Sequence, residues 1–339
     1  MPTQSPSSRN PLKQVGQGEH RYVAAPGWGD LPSGWSFVEA TSVAADSQGN
    51  VYVFNRGEHP VIVFDRSGGF LRAFGEGQFT RPHGITIGPD DLLYLVDDIG
   101  HKITKCTPEG KVLMTLGTGQ PSDTGAIGFD YRTIQRAAGP FNHPCNLALS
   151  ASGEMYIADG YGNARVHKFS PSGEFLFSWG EPGSGSGEFH LPHGIAIDRR
   201  GIIYIADREN SRIQLFNLEG KYVGEWTEIA RPCQIFIDNQ DRAYIAEVGY
   251  KAGMWPGTSA PPQASGGRVS IFDLEGNLLS RFGGGENPQA PDDFFAPHDI
   301  CVDPWGDIYV AEVTMSAGGY KGLVPADTPS LRKFVRLES

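Results

Sequence analysis

The strongest constraint on the fold is a short anchor that recurs along the chain. In its full form a proline precedes one variable residue, then a small or polar residue and a branched or leucine residue, as in Pro82-His83-Gly84-Ile85. The anchors begin at Pro82, Pro144, Pro192, Pro232 and Pro297, and a degenerate copy without the proline is Ala40-Thr41-Ser42-Val43. The residue after the proline is, in chain order, Thr41, His83, Cys145, His193, Cys233 and His298. Histidine therefore fills every second copy.

A run centred on a tyrosine follows each anchor after a polar turn, for example Glu154-Met155-Tyr156-Ile157-Ala158. Short runs of aromatic and branched residues bounded by Gly, Asp and Pro are typical of β-strands. Two more such runs follow in most copies, so each copy predicts a four-stranded meander. Self-similarity with a period of roughly 40 residues and four strands per unit indicates a β-propeller. The predicted fold class is therefore all-β, a six-bladed β-propeller.

The sixth blade needs a strand from the other end of the chain. Only three strands follow the last anchor, and the third ends near residues 331–335. We expect the segment that starts at Arg21-Tyr22-Val23 to supply the outer strand of blade 6, which leaves no open sheet edge at the ring closure. Residues 1–15 are predicted to be a disordered tail and residues 16–339 a single propeller. Insertions at 117–139 and 249–267 are predicted to be loops over one face.

Charge and composition narrow the partners and the compartment. The net charge of -11 disfavours nucleic acid and anionic membranes as partners. The sequence shows neither a signal peptide nor an apolar stretch long enough to cross a membrane, so we expect a cytoplasmic protein. The four cysteines have no CxxC spacing and are expected to be buried, reduced thiols. We expect a monomer that acts on a small-molecule or peptide-like carboxylate.

The alternating histidines predict a metal site. The first strand of each propeller blade lines the central channel, so the residue after each anchor proline occupies what we call the channel position. His83, His193 and His298 would then point at one axis from directions about 120° apart. Three imidazoles with a fourth position left open are typical of catalytic zinc. A lone histidine in such a strand would more often be a core residue, and Cys145 and Cys233 could also approach the metal.

A second ring is predicted at the channel mouth. The residues four positions after the shared tyrosines are Arg56, Asp98, Gly160, Arg208, Val248 and Val313. Arg56 and Arg208 together could hold a carboxylate through bidentate hydrogen bonds. Tyr161 follows Gly160, and beside two cations and a metal its pKa could be lowered so that it acts as a base. The simpler readings are surface arginines in salt bridges and a loop tyrosine.

The anchors and the run at residues 204–214 resemble NHL repeats. Together with residues 54–59, 159–161 and 207–208, they resemble peptidyl-α-hydroxyglycine α-amidating lyase over about residues 20–335. The resemblance implies that zinc is bound by His83, His193 and His298. It implies that Arg56 and Tyr161 are essential and that Arg208 is a second active-site arginine. It also implies a structural calcium held by the Asp299 carboxylate and the main-chain carbonyls of Ile85 and Val43. Alternatively, Asp299 could orient a neighbouring histidine.

The implied activity is zinc-dependent carbon-nitrogen lyase chemistry, which cleaves an N-acyl-α-hydroxyglycine to an amide and glyoxylate. One departure concerns the substrate pocket, because Ala296 stands where the family has methionine. Cysteines that form disulfides in secreted relatives are also missing near Tyr161 and Arg208. Two other functions stay open. One is a different zinc-dependent lyase or hydrolase acting on a small, ureidoglycolate-like carboxylate, and the other is a non-enzymatic NHL scaffold.

Overall fold

Six antiparallel sheets form a closed ring in the computed structural model, which describes residues 13–250 and 265–338. The first strand of each sheet contacts the first strands of both neighbouring sheets, and the first strand of blade 6 contacts that of blade 1. The predicted six-bladed β-propeller is therefore confirmed.

The strands of the blades have the following bounds, from the channel outward. Blade 1 has Ala40–Ala45, Val51–Asn55, Val61–Phe64 and Phe70–Phe74; blade 2 has Pro82–Ile87, Leu93–Asp97, Lys102–Cys106 and Val112–Leu116; blade 3 has Pro144–Leu149, Met155–Asp159, Arg165–Phe169 and Phe175–Trp179. Blade 4 has Pro192–Ile197, Ile203–Asp207, Arg212–Phe216 and Tyr222–Trp226; blade 5 has Pro232–Ile237, Arg242–Glu247, Arg268–Asp273 and Leu278–Gly283; blade 6 has Pro297–Val302, Ile308–Glu312, Leu331–Arg336, His20–Ala24 and Gln14–Gln17.

Short elements connect the blades and their strands. Glu181–Pro182 pairs in parallel with Glu188–Phe189 between blades 3 and 4. The helices are Thr314–Ala317, an α-helix, and the 3-10 turns Tyr131–Thr133, Arg208–Asn210 and Gly319–Lys321. None of the helices among residues 13–250 and 265–338 is long and apolar enough to cross a membrane.

The shared tyrosine of the second strand joins that strand to the turn before it. Tyr204 is fully buried, and its hydroxyl donates to the Asp198 carboxylate at 3.1 Å. The same carboxylate accepts the main-chain N–H of Arg200 and Ile202, which closes the turn. Equivalent tyrosine-aspartate bonds occur at Tyr52 with Asp46, Tyr244 with Asp238 and Tyr309 with Asp303. In four of the six copies the shared tyrosine is thus held by the turn before its strand, which gives the buried phenol the hydrogen-bond partner it needs, whereas Tyr156 donates to the Leu218 carbonyl oxygen instead.

An N-terminal strand completes blade 6, as predicted. His20–Ala24 pairs with Leu331–Arg336 through the registers Tyr22 with Arg336 and Ala24 with Phe334. The prediction of a disordered tail over residues 1–15 needs a correction at its end, because Gln14–Gln17 forms a fifth strand on His20–Ala24. Residues 1–12 of that tail lie outside the described residues.

The connection between blades 2 and 3 runs over the channel mouth, where its Phe129 packs on Tyr161 with ring centroids 5.4 Å apart. This agrees with the predicted loop at 117–139. Most of the predicted insertion at 249–267 lies outside the described residues. The connection after the second strand of blade 6 carries the helix Thr314–Ala317, which also reaches the mouth and which the sequence did not indicate.

Deleting residues 1–25 removes the strand that closes blade 6. We expect the free energy of unfolding to fall by at least about 3 kcal/mol, the usual cost of losing one buried aromatic side chain, because Tyr22 is fully buried. Chemical denaturation followed by circular dichroism measures the change, with deletion of residues 1–12 as the control. Equal midpoints for the two deletions would show that His20–Ala24 does not hold the ring closed.

Candidate functional site

Three histidine rings meet at the channel axis. His83, His193 and His298 are all buried. Their ring centroids lie 4.9 Å apart for His83 and His193, 4.8 Å for His83 and His298, and 4.7 Å for His193 and His298. The predicted convergence of alternate blades therefore gives a nearly equilateral triangle of imidazoles.

Each of these histidines is oriented by the main chain of the next blade. His83 Nδ1 lies 2.7 Å from the Cys145 carbonyl oxygen, and His193 Nδ1 lies 2.8 Å from that of Cys233. His298 Nδ1 lies 2.7 Å from the carbonyl oxygen of Thr41. Because a carbonyl only accepts, each Nδ1 carries the hydrogen and each Nε2 is unprotonated, and the Nε2 of His193 accepts a hydrogen bond from the Tyr161 hydroxyl. This arrangement is the usual preparation of a histidine for metal binding.

Glycine allows two of these close contacts. A Cβ on Gly84 would lie 2.6 Å from the Cys145 carbonyl oxygen, and one on Gly194 would lie 2.4 Å from that of Cys233. Both distances are too short for a real side chain. At these two interfaces the glycine of the Pro-His-Gly anchor leaves room for the carbonyl of the next blade, whereas at His298 the same bond forms with Asp299 in the place of the glycine.

The three histidines are neutral at physiological pH. Burial is the largest cause that holds the pKa of each well below its usual range. Neighbouring histidines add to this effect at His83, and Arg56 adds to it at His298. Neutral imidazole is the form that binds a metal ion, so the triad fits zinc with an open fourth position.

A cysteine also stands close to the triad. Ligand atoms of His83, Cys145 and His193 lie within 4.8 Å of one another, so this group could hold a metal as well. The Cys145 thiol lies 3.7 Å from the His143 carbonyl oxygen, and burial raises the pKa of Cys145 far above its usual range. A metal binds the thiolate form, which this environment disfavours. The two candidate ligand sets share His83 and His193 and differ in the third ligand, which is His298 in one and Cys145 in the other.

Tyr161 touches the triad directly. Its hydroxyl lies 3.0 Å from His193 Nε2 and 3.4 Å from His83 Nε2, and it accepts a hydrogen bond from Arg208 Nη1 at 3.2 Å. The loop approaches this closely because Gly160 has no side chain: a Cβ there would lie 2.1 Å from the Pro192 carbonyl oxygen. Burial raises the pKa of Tyr161 to about 12, and Arg208 opposes this effect. The predicted lowering of this pKa counted a bound metal among its causes, so it stays a prediction for the metal-bound protein.

Both predicted arginines face the same cavity, which has a volume of about 210 Å³. Arg56 Nη1 pairs with Glu39 Oε2 at 2.7 Å. Arg208 is buried, and its Nε pairs with Glu209 Oε1 at 2.9 Å. The cavity is also lined by Tyr161, His298, Lys321 and the apolar side chains of Phe129, Val248, Val313 and Ala317. Four of the six residues of the predicted mouth ring, together with Tyr161 beside a fifth, therefore line one cavity with His298.

A third arginine was missed by the sequence reading. Arg81 lines the cavity, its Nη1 pairs with Asp98 Oδ2 at 2.7 Å, and its guanidinium lies 4.7 Å from the centre of the Phe129 ring. The sequence did contain a signal for Arg81, because this residue directly precedes an anchor proline and its partner Asp98 belongs to the predicted mouth ring.

Ala296 is buried beside Val248 and Val313 rather than on the cavity wall. Its effect on the cavity stays a prediction.

The residues predicted to hold calcium also lie together. Val43, Ile85 and Asp299 line a second cavity of about 270 Å³ further along the channel strands. Asp299 accepts hydrogen bonds from the Ser42 hydroxyl and the Ile300 main-chain N–H, and burial raises its pKa well above the usual range. Within the described residues no cationic side chain pairs with it. It orients none of the three histidines, since all three Nδ1 atoms use main-chain carbonyls.

Comparison with known proteins identifies relatives over most of the chain. A protein-family model described as a 6-bladed beta-propeller, DUF5128, matches residues 143–246. Peptidyl-glycine alpha-amidating monooxygenase of Mus musculus is 28% identical over 306 residues, which cover 81% of this chain but only 29% of that protein. Peptidyl-alpha-hydroxyglycine alpha-amidating lyase 1 of Drosophila melanogaster is 27% identical over 316 residues, with 80% of this chain and 55% of the relative covered.

Solved structures share the fold at low identity. A streptogramin B lyase aligns with a TM-score of 0.57 and 14% identity over 93% of this chain and 86% of its own. A gluconolactonase from Xanthomonas campestris aligns with a TM-score of 0.58 and 13% identity over 99% of this chain and 98% of its own.

NHL repeat-containing protein 3 of Mus musculus is 31% identical over 310 residues, with 84% of this chain and 81% of the relative covered. The chain therefore belongs to the NHL-repeat β-propeller family of that protein, and it resembles the amidating lyases as its motifs indicated.

Proposed function

We propose that this protein is a metal-dependent lyase that cleaves the carbon-nitrogen bond of an N-acyl-α-hydroxyglycine-type substrate to give an amide and glyoxylate. The observation that carries the proposal is the position of the Tyr161 hydroxyl, between the Nε2 atoms of two channel histidines and the guanidinium of Arg208. Tyr161, which could transfer a proton, thereby contacts both the histidines that could bind a metal and the arginine that could bind a carboxylate. The relatives named as amidating lyases support the same reaction class.

The substrate carboxylate would bind to Arg56 and Arg208. Both line the cavity, and each is held from behind by a carboxylate, Glu39 and Glu209 respectively. Such backing fixes the planar guanidinium groups, so little conformational entropy is lost when they take a carboxylate in bidentate fashion. The apolar wall on the other side would accommodate the acyl part of the substrate.

The metal would be held by the Nε2 atoms of His83, His193 and His298. A zinc ion there supplies a Lewis acid for the substrate hydroxyl and a positive charge that lowers the pKa of Tyr161. In a separate site, the Asp299 carboxylate and the main-chain carbonyls of Ile85 and Val43 would hold a structural calcium through oxygen ligands alone.

Tyr161 would move the proton. The phenol proton of Tyr161 would first be released to solvent, and the phenolate oxygen would then take the proton of the substrate hydroxyl while Arg208 at 3.2 Å stabilises the phenolate charge. The carbon-oxygen double bond of glyoxylate forms as the carbon-nitrogen bond breaks. The electron pair of that bond goes to nitrogen, which receives the proton and leaves as the amide.

A small substrate of the ureidoglycolate type is the second candidate, and it would undergo the same bond cleavage. The observation that favours it is the size of the cavity, because about 210 Å³ is less than the roughly 300–1,000 Å³ of pockets for drug-sized ligands. The remaining alternative from the sequence, a non-enzymatic scaffold, differs from both candidates because it predicts neither a bound metal nor turnover of a substrate.

Metal binding should require His298 and should not require Cys145. We expect roughly one zinc ion per chain in protein purified without a histidine tag, lost in His193→Ala and His298→Ala but kept in Cys145→Ala. The metal content of each variant is measured by mass spectrometry. His190→Gln serves as a control, because His190 pairs with Asn210 outside the triad. Loss of metal in Cys145→Ala with retention in His298→Ala would replace the three-histidine site by the site with one cysteine.

Tyr161→Phe should separate chemistry from metal binding. We expect kcat for glyoxylate release from N-benzoyl-α-hydroxyglycine or ureidoglycolate to fall at least about 100-fold, the usual size of a lost acid-base group, with zinc still bound. Tyr131→Phe is the matched control, a tyrosine of the neighbouring loop that packs on His190. An active Tyr161→Phe enzyme would refute the proton-transfer role. A zinc-containing wild type that releases no glyoxylate from either substrate would refute the lyase reaction for these substrates.

A further inference from the structure

The cavity contains more cationic groups than one carboxylate requires. Its described lining includes the side chains of Arg56, Arg81, Arg208 and Lys321, and no Asp or Glu of residues 13–250 or 265–338 is among the lining residues. A bidentate arginine pair is sufficient for a single carboxylate. The position of Arg81 is therefore not explained by the proposed reaction.

Carboxylates behind the arginines offset only part of this charge. Glu39 backs Arg56 and Asp98 backs Arg81. Glu209 is shared, because it pairs with both Arg208 and Arg231. A bound divalent metal would add to the positive charge. A ligand with one negative charge would leave an excess that a second anionic group would balance.

Arg81 has hydrogen-bond donors left for such a group. Its side chain is 25% exposed, and the bond from Nη1 to Asp98 is the one polar contact of its guanidinium among the described residues. Nε and Nη2 thus have no hydrogen-bond partner among the described residues, and Arg81 lines the cavity. The Phe129 ring lies under the guanidinium at 4.7 Å and fixes its plane.

Arg66 shows what a structural arginine of the same kind looks like. Its guanidinium also lies on an aromatic ring, that of Trp305, at 4.5 Å. Its Nε bonds Asp303 at 3.1 Å and its Nη2 bonds Asp307 at 2.9 Å, so the nitrogens that Arg81 leaves available are both used. The contrast argues that Arg81 is placed for a ligand rather than for the fold.

We propose that Arg81, backed by Asp98 and packed on Phe129, is a second anion subsite that selects substrates with a second carboxylate. The substrate class is an N-acyl-α-hydroxyglycine whose short acyl chain ends in a carboxylate, such as a succinyl group. The Phe129 ring also packs on Tyr161 at 5.4 Å, so the subsite lies a short distance from the proposed reacting groups. The reaction assigned to this substrate rests on the proposed function, whereas the subsite itself rests on the cavity.

A binding experiment tests the subsite without any turnover. Isothermal titration calorimetry on the metal-loaded protein compares succinate with succinamate, in which one carboxylate is replaced by a neutral amide. We expect succinate to bind at least about tenfold more tightly, the size of one hydrogen bond to a charged group. The double variant Arg81→Gln/Asp98→Asn should lose this preference. It removes both partners, because Arg81→Gln alone would leave Asp98 buried without its ion pair.

Two controls keep the result specific. Asp98→Asn alone keeps Arg81 and should keep the preference for succinate. Arg66→Gln removes the matched structural arginine and should also keep it. An equal affinity of wild type for the two ligands would overturn the subsite, as would a preference that survives in the folded double variant.

Kinetics separates the subsite from the reaction. With N-succinyl-α-hydroxyglycine and its neutral succinamoyl analogue, the ratio of kcat/KM should be at least about ten in wild type and close to one in the double variant. Turnover of both substrates without this ratio would overturn the subsite and leave the lyase standing. A succinate preference in binding, without turnover of either substrate, would overturn the lyase proposal and leave the subsite standing.

Discussion

The histidine triad depends on one repeated interaction, the hydrogen bond from a channel histidine to the main-chain carbonyl of the following blade. These bonds cross the interfaces between blades 2 and 3, 4 and 5, and 6 and 1. The last of them, from His298 to Thr41, crosses the ring closure. The shape of the triad is therefore set by how whole blades pack, which is more rigid than a set of ligands on loops. In the odd-numbered blades the residue at the channel position supplies the main-chain carbonyl that accepts the bond, and these residues are Thr41, Cys145 and Cys233.

The residue after the channel position shows how this symmetry is broken at one interface. Gly84 faces Asn146 and Gly194 faces Gln234, and in each pair a Cβ on the glycine would collide with the longer side chain. At the ring closure the sizes are reversed, because Asp299 faces the smaller Ser42 and accepts its hydroxyl hydrogen. The exchange puts a buried carboxylate on the channel wall, and no cation of the described residues forms an ion pair with it. The proposed calcium site would use this carboxylate, whereas the three histidines donate to main-chain carbonyls instead.

The repeat made the fold and the triad predictable, because residues that recur at one position must face one place in a closed ring. Residues outside the period could not be located in this way. Arg81 and Phe129 approach each other only through the connection between blades 2 and 3, and the helix Thr314–Ala317 lies in a connection without repeat. The pKa of Tyr161 is raised in the polypeptide alone, because the loss of water around the buried phenol outweighs the neighbouring cations, whereas the predicted lowering also counted a bound metal and stays a prediction. The strand Gln14–Gln17 is short and mostly polar, so it carries no strand signal.

The arrangement of charge at the mouth explains how buried arginines can still attract an anion. A buried guanidinium needs a carboxylate partner, but a full partner for each would cancel the field in the cavity. Here the partners fall short of the cations. Glu209 is shared by two arginines, and burial raises the pKa of Asp98 to about 6, so its negative charge is less firmly held than that of an ordinary aspartate. The cavity therefore keeps a positive potential although each of its arginines is anchored, and this potential would bind the ionised carboxylates of a small substrate.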